Sequence, residues 1–243
     1  MAILELDKAT VRFGGLTALD NVSVHFDPDA ITGLIGPNGS GKSTLINMVS
    51  GQVRAASGSV TMLGDDITRA PAHTIVRNGL ARTFQVPRVP KNMTIADILA
   101  VPMTFIRLRQ RHASLATPES ILEFCGITQS LETKCSALST PELRRLEIAR
   151  ALACAPKILF LDEVMASLPA NEADAAIAII RSIRDLGICV AVVEHVLPII
   201  TGVCDTVLVL DHGKMLVQGT PAEVLANPEV QEAYLGRTRG KDK

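Results

Sequence analysis

Gly36-Pro37-Asn38-Gly39-Ser40-Gly41-Lys42-Ser43-Thr44 fits G-x-x-x-x-G-K-[ST], the pattern of a phosphate-binding loop. Its flanks have the order the motif needs. Ahead of it, Ala30-Ile31-Thr32-Gly33-Leu34-Ile35 is a short apolar run that reads as a buried strand. Behind it, Lys42-Ser43-Thr44-Leu45-Ile46-Asn47-Met48-Val49 has helical spacing, and Gly51 is placed to end the helix. Glycines let the backbone wrap a phosphate with its N–H groups turned inward, and the helix N-terminus adds partial positive charge. Lys42 can reach β- and γ-phosphates, and the Ser43 hydroxyl can ligate Mg²⁺.

Further along, Lys157-Ile158-Leu159-Phe160-Leu161-Asp162-Glu163 is an apolar run ending in two carboxylates. It reads as a buried strand that delivers acids at its C-terminal edge, where ligands sit in open α/β sheets. Asp162 is placed to hold Mg²⁺. Strand alternation turns the Glu163 side chain the other way, toward a water, where a general base would contribute on the order of 10²–10⁴ in rate. Asp-Glu after an apolar strand is common, so its weight comes from following a phosphate loop.

Around these two anchors the chain alternates strands and helices, which indicates βαβ units and a parallel sheet. Short β-like pieces at 3–6, 10–13 and 22–26 open it, and Gly58–Gly64 brackets another strand. Residues 71–78 read as a helix and 80–85 as a strand. Prolines 87, 90, 102 and 118 then punctuate short helical pieces at 95–101 and 117–124, so 86 to about 138 reads as a mostly helical insertion. Asn171 can cap a helix over 172–186 that Gly187 ends, and Asp211-His212-Gly213-Lys214 reads as a hairpin turn. Residues 237–243 are a polar tail.

Composition narrows the class. With 47% hydrophobic but only 3% aromatic residues, the core is aliphatic. The net charge of −1 gives no general attraction to nucleic acid or anionic lipid. The basic group Arg107, Arg109, Arg111 and His112 lacks the interleaved aromatics of a nucleic-acid contact and reads as a solvated helix face. No apolar run nears the ~18 residues of a membrane span, and the first residues lack a secretion signal. The five cysteines form no C-x-x-C pair and read as free thiols of a reducing compartment.

Over residues 3–236 the chain resembles the ATP-binding subunits of ABC transporters. Phe13, in Val11-Arg12-Phe13-Gly14-Gly15, matches that family's adenine-stacking aromatic. Gln85 matches the glutamine that links Mg²⁺ and the attacking water to the helical subdomain. Leu138-Ser139-Thr140-Pro141-Glu142 stands where the family has its LSGGQ signature, and Arg144-Arg145-Leu146-Glu147-Ile148-Ala149-Arg150 continues as its signature helix. His195, after the apolar run 190–193, matches the histidine that contacts the γ-phosphate. The resemblance implies a P-loop ABC-ATPase fold of class α/β. That fold has a mainly parallel RecA-like sheet, an antiparallel β subdomain and a helical subdomain. Here the helical part would be about 86–150, with 1–85 and 151–236 as catalytic core. It implies ATP with Mg²⁺, bound by Phe13, residues 36–44 and Ser139, with Ser43, Gln85 and Asp162 at the metal and Glu163, His195 and Gln85 in catalysis.

Gly14-Gly15-Leu16-Thr17-Ala18-Leu19-Asp20-Asn21-Val22, Gly79-Leu80-Ala81-Arg82-Thr83-Phe84-Gln85 and the tail 227–236 resemble importers of branched-chain amino acids, and equally those of urea and short amides. That implies membrane permeases as partners, a solute-binding protein indirectly, and a place on the inner face of the membrane. The signature departs from the family. In that family the ATP of one subunit is covered by the signature of another, whose serine and glycine N–H groups bind the γ-phosphate. Here Thr140 and Pro141 replace the glycines, and proline has no N–H to give. Val164-Met165-Ala166-Ser167-Leu168-Pro169 lacks the family's proline and dimer-contact aspartate. Both changes face the second subunit, so a heterodimer with a related ATP-binding chain is favoured over a homodimer. A regulatory subunit that binds ATP without hydrolysing it is the alternative reading.

Overall fold

The computed structural model describes residues 2–106, 112–165, 170–194 and 197–235 of the 243-residue chain. His195, Arg107, Arg109, Arg111, Ser167 and the 237–243 tail lie outside the described residues.

The first two strands are longer than their sequence pattern. β1 (Leu4–Phe13) and β2 (Leu16–Phe26) pair antiparallel, and the expected pieces at 3–6 and 10–13 are one strand. The register shifts near Lys8 and Asn21, both at positive φ (49° and 55°), so bulges carry the ladder past polar residues that interrupt the alternation. β3 (Ile31–Ile35) leads into the phosphate loop and α1 (Lys42–Val49). β4 (Ser57–Met62) and β5 (Asp65–Asp66) complete a four-stranded antiparallel sheet in the order β2-β1-β4-β5.

After α2 (Ala72–Asn78) comes β6 (Leu80–Arg82), which stops before the expected 85. The chain turns at Thr83, whose N–H bonds Phe160 O at 2.9 Å and whose hydroxyl is taken by Asp162. Helices α3 (Ile95–Phe105), α4 (Pro118–Phe124) and α5 (Thr140–Leu152) follow. α3 runs past 101 because Pro102 is accommodated inside it. β7 (Ile158–Asp162), α6 (Ala170–Asp185), β8 (Cys189–Val193), α7 (Leu197–Val203), β9 (Thr206–Asp211) and β10 (Lys214–Gly219) return to alternation, closed by α8 (Pro221–Ala226) and α9 (Pro228–Leu235). α6 begins at Ala170, so Asn171 is inside its first turn and not its cap.

The second sheet has the order β10-β9-β3-β8-β7-β6, parallel throughout except for β10. Its central strands are buried on both faces, which is why they read as unbroken apolar runs. Along β7, Leu159 and Leu161 face the core under the helices, while Ile158 and Phe160 face the core shared with α1 and the antiparallel sheet. Phe160 meets Phe26 edge to face at 5.4 Å, locking the two sheets together. The chain therefore presents the C-terminal ends of β3, β7 and β8 at one sheet edge, beside the phosphate loop.

Candidate functional site

The loop between β3 and α1 is shaped by glycine. Gly36, Gly39 and Gly41 have φ of 151°, 82° and 108°. At Gly36 there is no room for a side chain, because a Cβ would lie 2.1 Å from the Leu210 carbonyl oxygen and 2.6 Å from Ser40 Oγ. The β9–β10 hairpin props the loop from behind, as Gly213 N–H donates to Ser40 O at 2.9 Å. Ser40 Oγ is buried with no hydrogen-bond partner among the described residues, and Ser40 lines the hollow over the loop. An unsatisfied buried hydroxyl in a cradle of left-handed glycines fits an anion.

Lys42 is buried and folded over the loop, its Nζ donating to Gly36 O at 2.7 Å and Pro37 O at 3.1 Å. Burial pushes its pKa down, while Glu163 and Asp162 push it up. A hollow of about 660 Å³ opens over this loop, lined among others by Phe13, Thr17, Ser43, Gln85 and Glu163. Phe13 ends β1 with 49% of its surface exposed, an unusual state for a large aromatic that has a core to join. Its ring is thus available for stacking.

Asp162 ends β7 with its N–H bonded to Thr83 Oγ1 at 2.9 Å and its carboxylate 3.6 Å from the Arg82 guanidinium. Burial raises its pKa, Arg82 lowers it, Glu163 raises it and Lys42 lowers it. Glu163 leaves the extended conformation of β7. Its backbone is left-handed (φ 49°) and held there by its N–H bond to Val193 O at 2.9 Å. A long side chain in that region costs on the order of 1–3 kcal/mol, a strain that recurs at functional sites. The turn brings Glu163 Oε2 within 2.7 Å of Gln85 Nε2. Asp162 and the Ser43 hydroxyl offer hard oxygen ligands, and Gln85 keeps its amide oxygen. That set fits Mg²⁺, which takes one or two carboxylates together with phosphate oxygens. No group of three or more His, Cys, Asp or Glu suited to another metal occurs among the described residues.

Ser139 lies apart from this hollow, on the exposed N-terminus of α5. It is the N-cap of that helix. Its N–H and its Oγ–H both donate to Glu142 Oε2, each at 2.7 Å, and Gln129 Nε2 also donates to the Glu142 carboxylate. These bonds hold the Glu142 pKa down, the backbone N–H of Ser139 first.

Several residues of the site escape a sequence reading. Arg82 and Thr83 directly precede Phe84-Gln85, but only the packing of β6 on β7 makes them supports of Asp162. Gly213 reads as a turn residue and nothing local says that it touches the loop. Tyr234, on α9, borders a second hollow with Gly36, Pro37, Gln85 and Glu163, and burial pushes its phenol up to about 12.

Comparison with known proteins agrees with this geometry. The profile of the ABC transporter family matches residues 19–166. The profile of the branched-chain amino acid ATP-binding cassette transporter matches residues 214–239. The high-affinity branched-chain amino acid transport ATP-binding protein BraF of Pseudomonas aeruginosa is 33% identical, covering 96% of this chain and 98% of its own. A probable branched-chain amino acid transport ATP-binding protein, LivG, of Archaeoglobus fulgidus is 34% identical, with 97% and 96% covered. Among solved structures, the ADP conformation of MJ1267, an ATP-binding cassette of an ABC transporter, superposes with a TM-score of 0.86 at 31% identity over 97% of this chain and 99% of that one.

Proposed function

Because the chain belongs to the ABC transporter family and is one of its ATPases, we propose that it energises an importer of branched-chain amino acids or of a related small polar solute such as urea or an amide. The observation that carries the ATPase part is the meeting of Gln85 and Glu163 at 2.7 Å over the phosphate loop. Phe13 stacks the base, residues 36–44 wrap the phosphates, and Lys42 exchanges its carbonyl partners for phosphate oxygens. Ser43, Asp162 and Gln85 would hold Mg²⁺, which supplies charge neutralisation at the phosphates. Glu163 accepts the proton of a water that Gln85 orients, and His195 is assigned to the γ-phosphate. The relatives' names support the cargo class. Residues 1–85 and 151–236 form the catalytic core and 86–150 the helical subdomain.

An apolar groove of about 560 Å³, lined by Val76, Phe84, Val101, Pro102, Phe105 and Ile106, lies beside the site. Val101 and Phe105 are more than half exposed. We assign it to the permease subunits, which would hold the chain on the inner face of the membrane; a solute-binding protein acts on their far side. The pairing partner is a second ATP-binding subunit with an ordinary signature, since the donors of Ser139 are already occupied by Glu142 and Pro141 has none. The regulatory, non-hydrolysing reading is favoured by that same signature. A Glu163→Gln variant in the assembled transporter decides between them: ATP-driven uptake into vesicles collapses if this chain hydrolyses, and uptake at the wild-type rate would refute it.

A further inference from the structure

Glu147 is a charged residue only 2% exposed, in the middle of α5, and nothing in the nucleotide site touches it. Its Oε1 accepts the backbone N–H of Arg88 at 2.8 Å, and its Oε2 accepts from Arg150 at 2.7 Å. Arg150 adds a bond to the Arg88 carbonyl at 3.0 Å. Thus the far end of the segment 84–88 is fastened to α5 by both its N–H and its carbonyl, three residues past Gln85. On its other side the segment is fixed to β7, through the Thr83 hydroxyl on the Asp162 N–H and through Gln85 on Glu163. Phe84 is packed between the guanidinium groups of Arg82 at 4.7 Å and Arg88 at 4.6 Å, with Arg150 at 5.9 Å. Phe84, Arg82 and Arg150 are also wall residues of the apolar groove.

A buried carboxylate is costly unless it is paired and fully bonded. Here one backbone donor and one guanidinium meet that need, and the cost is incurred where it fixes a loop. We propose that Glu147 is a positioning residue for the hydrolytic pair: it staples the 84–88 loop to α5, so that Gln85 meets Glu163 only while α5 sits correctly against β7. The proposal rests on the reading of Gln85 and Glu163 as the hydrolytic pair.

The test combines hydrogen exchange of the full-length chain with ATPase kinetics of the assembled transporter. Glu147→Ala removes both acceptors; Glu147→Gln keeps one oxygen and is the variant that preserves the fold. Loss of even one charge-assisted bond speeds loop opening by about tenfold or more. Exchange of the peptide spanning 83–90 should rise about that much in Glu147→Ala, and kcat should fall about tenfold. The ATP KM should stay within about threefold. Glu147→Gln should lie between, and Glu147→Asp should recover part of kcat. Unchanged exchange would refute the staple. Faster exchange with an unchanged kcat would refute its positioning role, and so would a KM that rises in step with the loss of kcat. Failure of the wild-type transporter to hydrolyse ATP would instead count against the ATPase reading, leaving the staple to be judged by exchange alone.

Discussion

Two copies of this chain should pair poorly around ATP, and Glu142→Ala should make them pair better. Ser139 gives both its N–H and its Oγ–H to Glu142 Oε2 at 2.7 Å, so a phosphate arriving from a second copy must displace a carboxylate of its own sign. Charge-assisted bonds contribute about 1.5–3 kcal/mol each when shielded, but Ser139 is exposed, and screening leaves about 1.4 kcal/mol for the pair. In a symmetric dimer the same contact occurs twice, which makes about 2.8 kcal/mol, or about 100-fold in the dimer dissociation constant. Sedimentation velocity with saturating ATP reads this directly, in a Glu163→Gln background that keeps the nucleotide intact. The Glu163→Gln chain should stay monomeric at protein concentrations where Glu142→Ala/Glu163→Gln dimerises. Equal dimerisation of the two would refute the reasoning, and with it the inference that the signature is blocked from within.

In the assembled transporter, Glu163→Gln should lower kcat by on the order of 10²–10⁴ while a nucleotide still binds, as equilibrium dialysis would register. Gly36→Ala forces a Cβ against the Leu210 carbonyl and should cost more than about 3 kcal/mol in urea unfolding, or abolish ATP binding outright. Glu142→Ala should also lower the melting temperature by about 2–4 °C for each kcal/mol of lost capping. That deficit depends on pH. The Glu142 pKa is lowered in the folded chain by its bonds from Ser139, so its stabilisation is present above the unfolded pKa. It is lost as pH falls through the folded value. The gap in melting temperature between wild type and Glu142→Ala should therefore close in acid; a gap that widens would contradict the sign.

How much of this was legible in the sequence depends on distance along the chain. The loop at 36–44 and the strand ending in Asp162 are local patterns. Their physics is complete within a few residues, and the structure follows it. The long β1 and the early end of β6 were not legible, because bulges at Lys8 and Asn21 and the capture of Thr83 by Asp162 are set by partners elsewhere. Glu163 shows the same limit at a single residue. Alternation along β7 does not foretell its left-handed backbone, which a bond to Val193, thirty residues on, holds in place.

One helix brings the two arguments about the site together. The first turn of α5 points outward and binds its own Glu142, while Glu147, five residues later, points inward and holds the loop of Gln85. Five residues is about one and a half turns, so the two carboxylates lie on different sides of the same rod. A change at the outer end should therefore alter which subunit can pair with this chain and leave ATP affinity at its own loop untouched. A change at Glu147 should do the reverse, slowing hydrolysis without altering pairing. The proposed pairing requires that separation, since a helix whose outer end meets a second subunit and whose inner face holds the loop of Gln85 can act on each only through different faces. Were the Glu142 and Glu147 substitutions to give the same phenotype, α5 would be acting as a simple packing element, and neither carboxylate would have the role its geometry assigns.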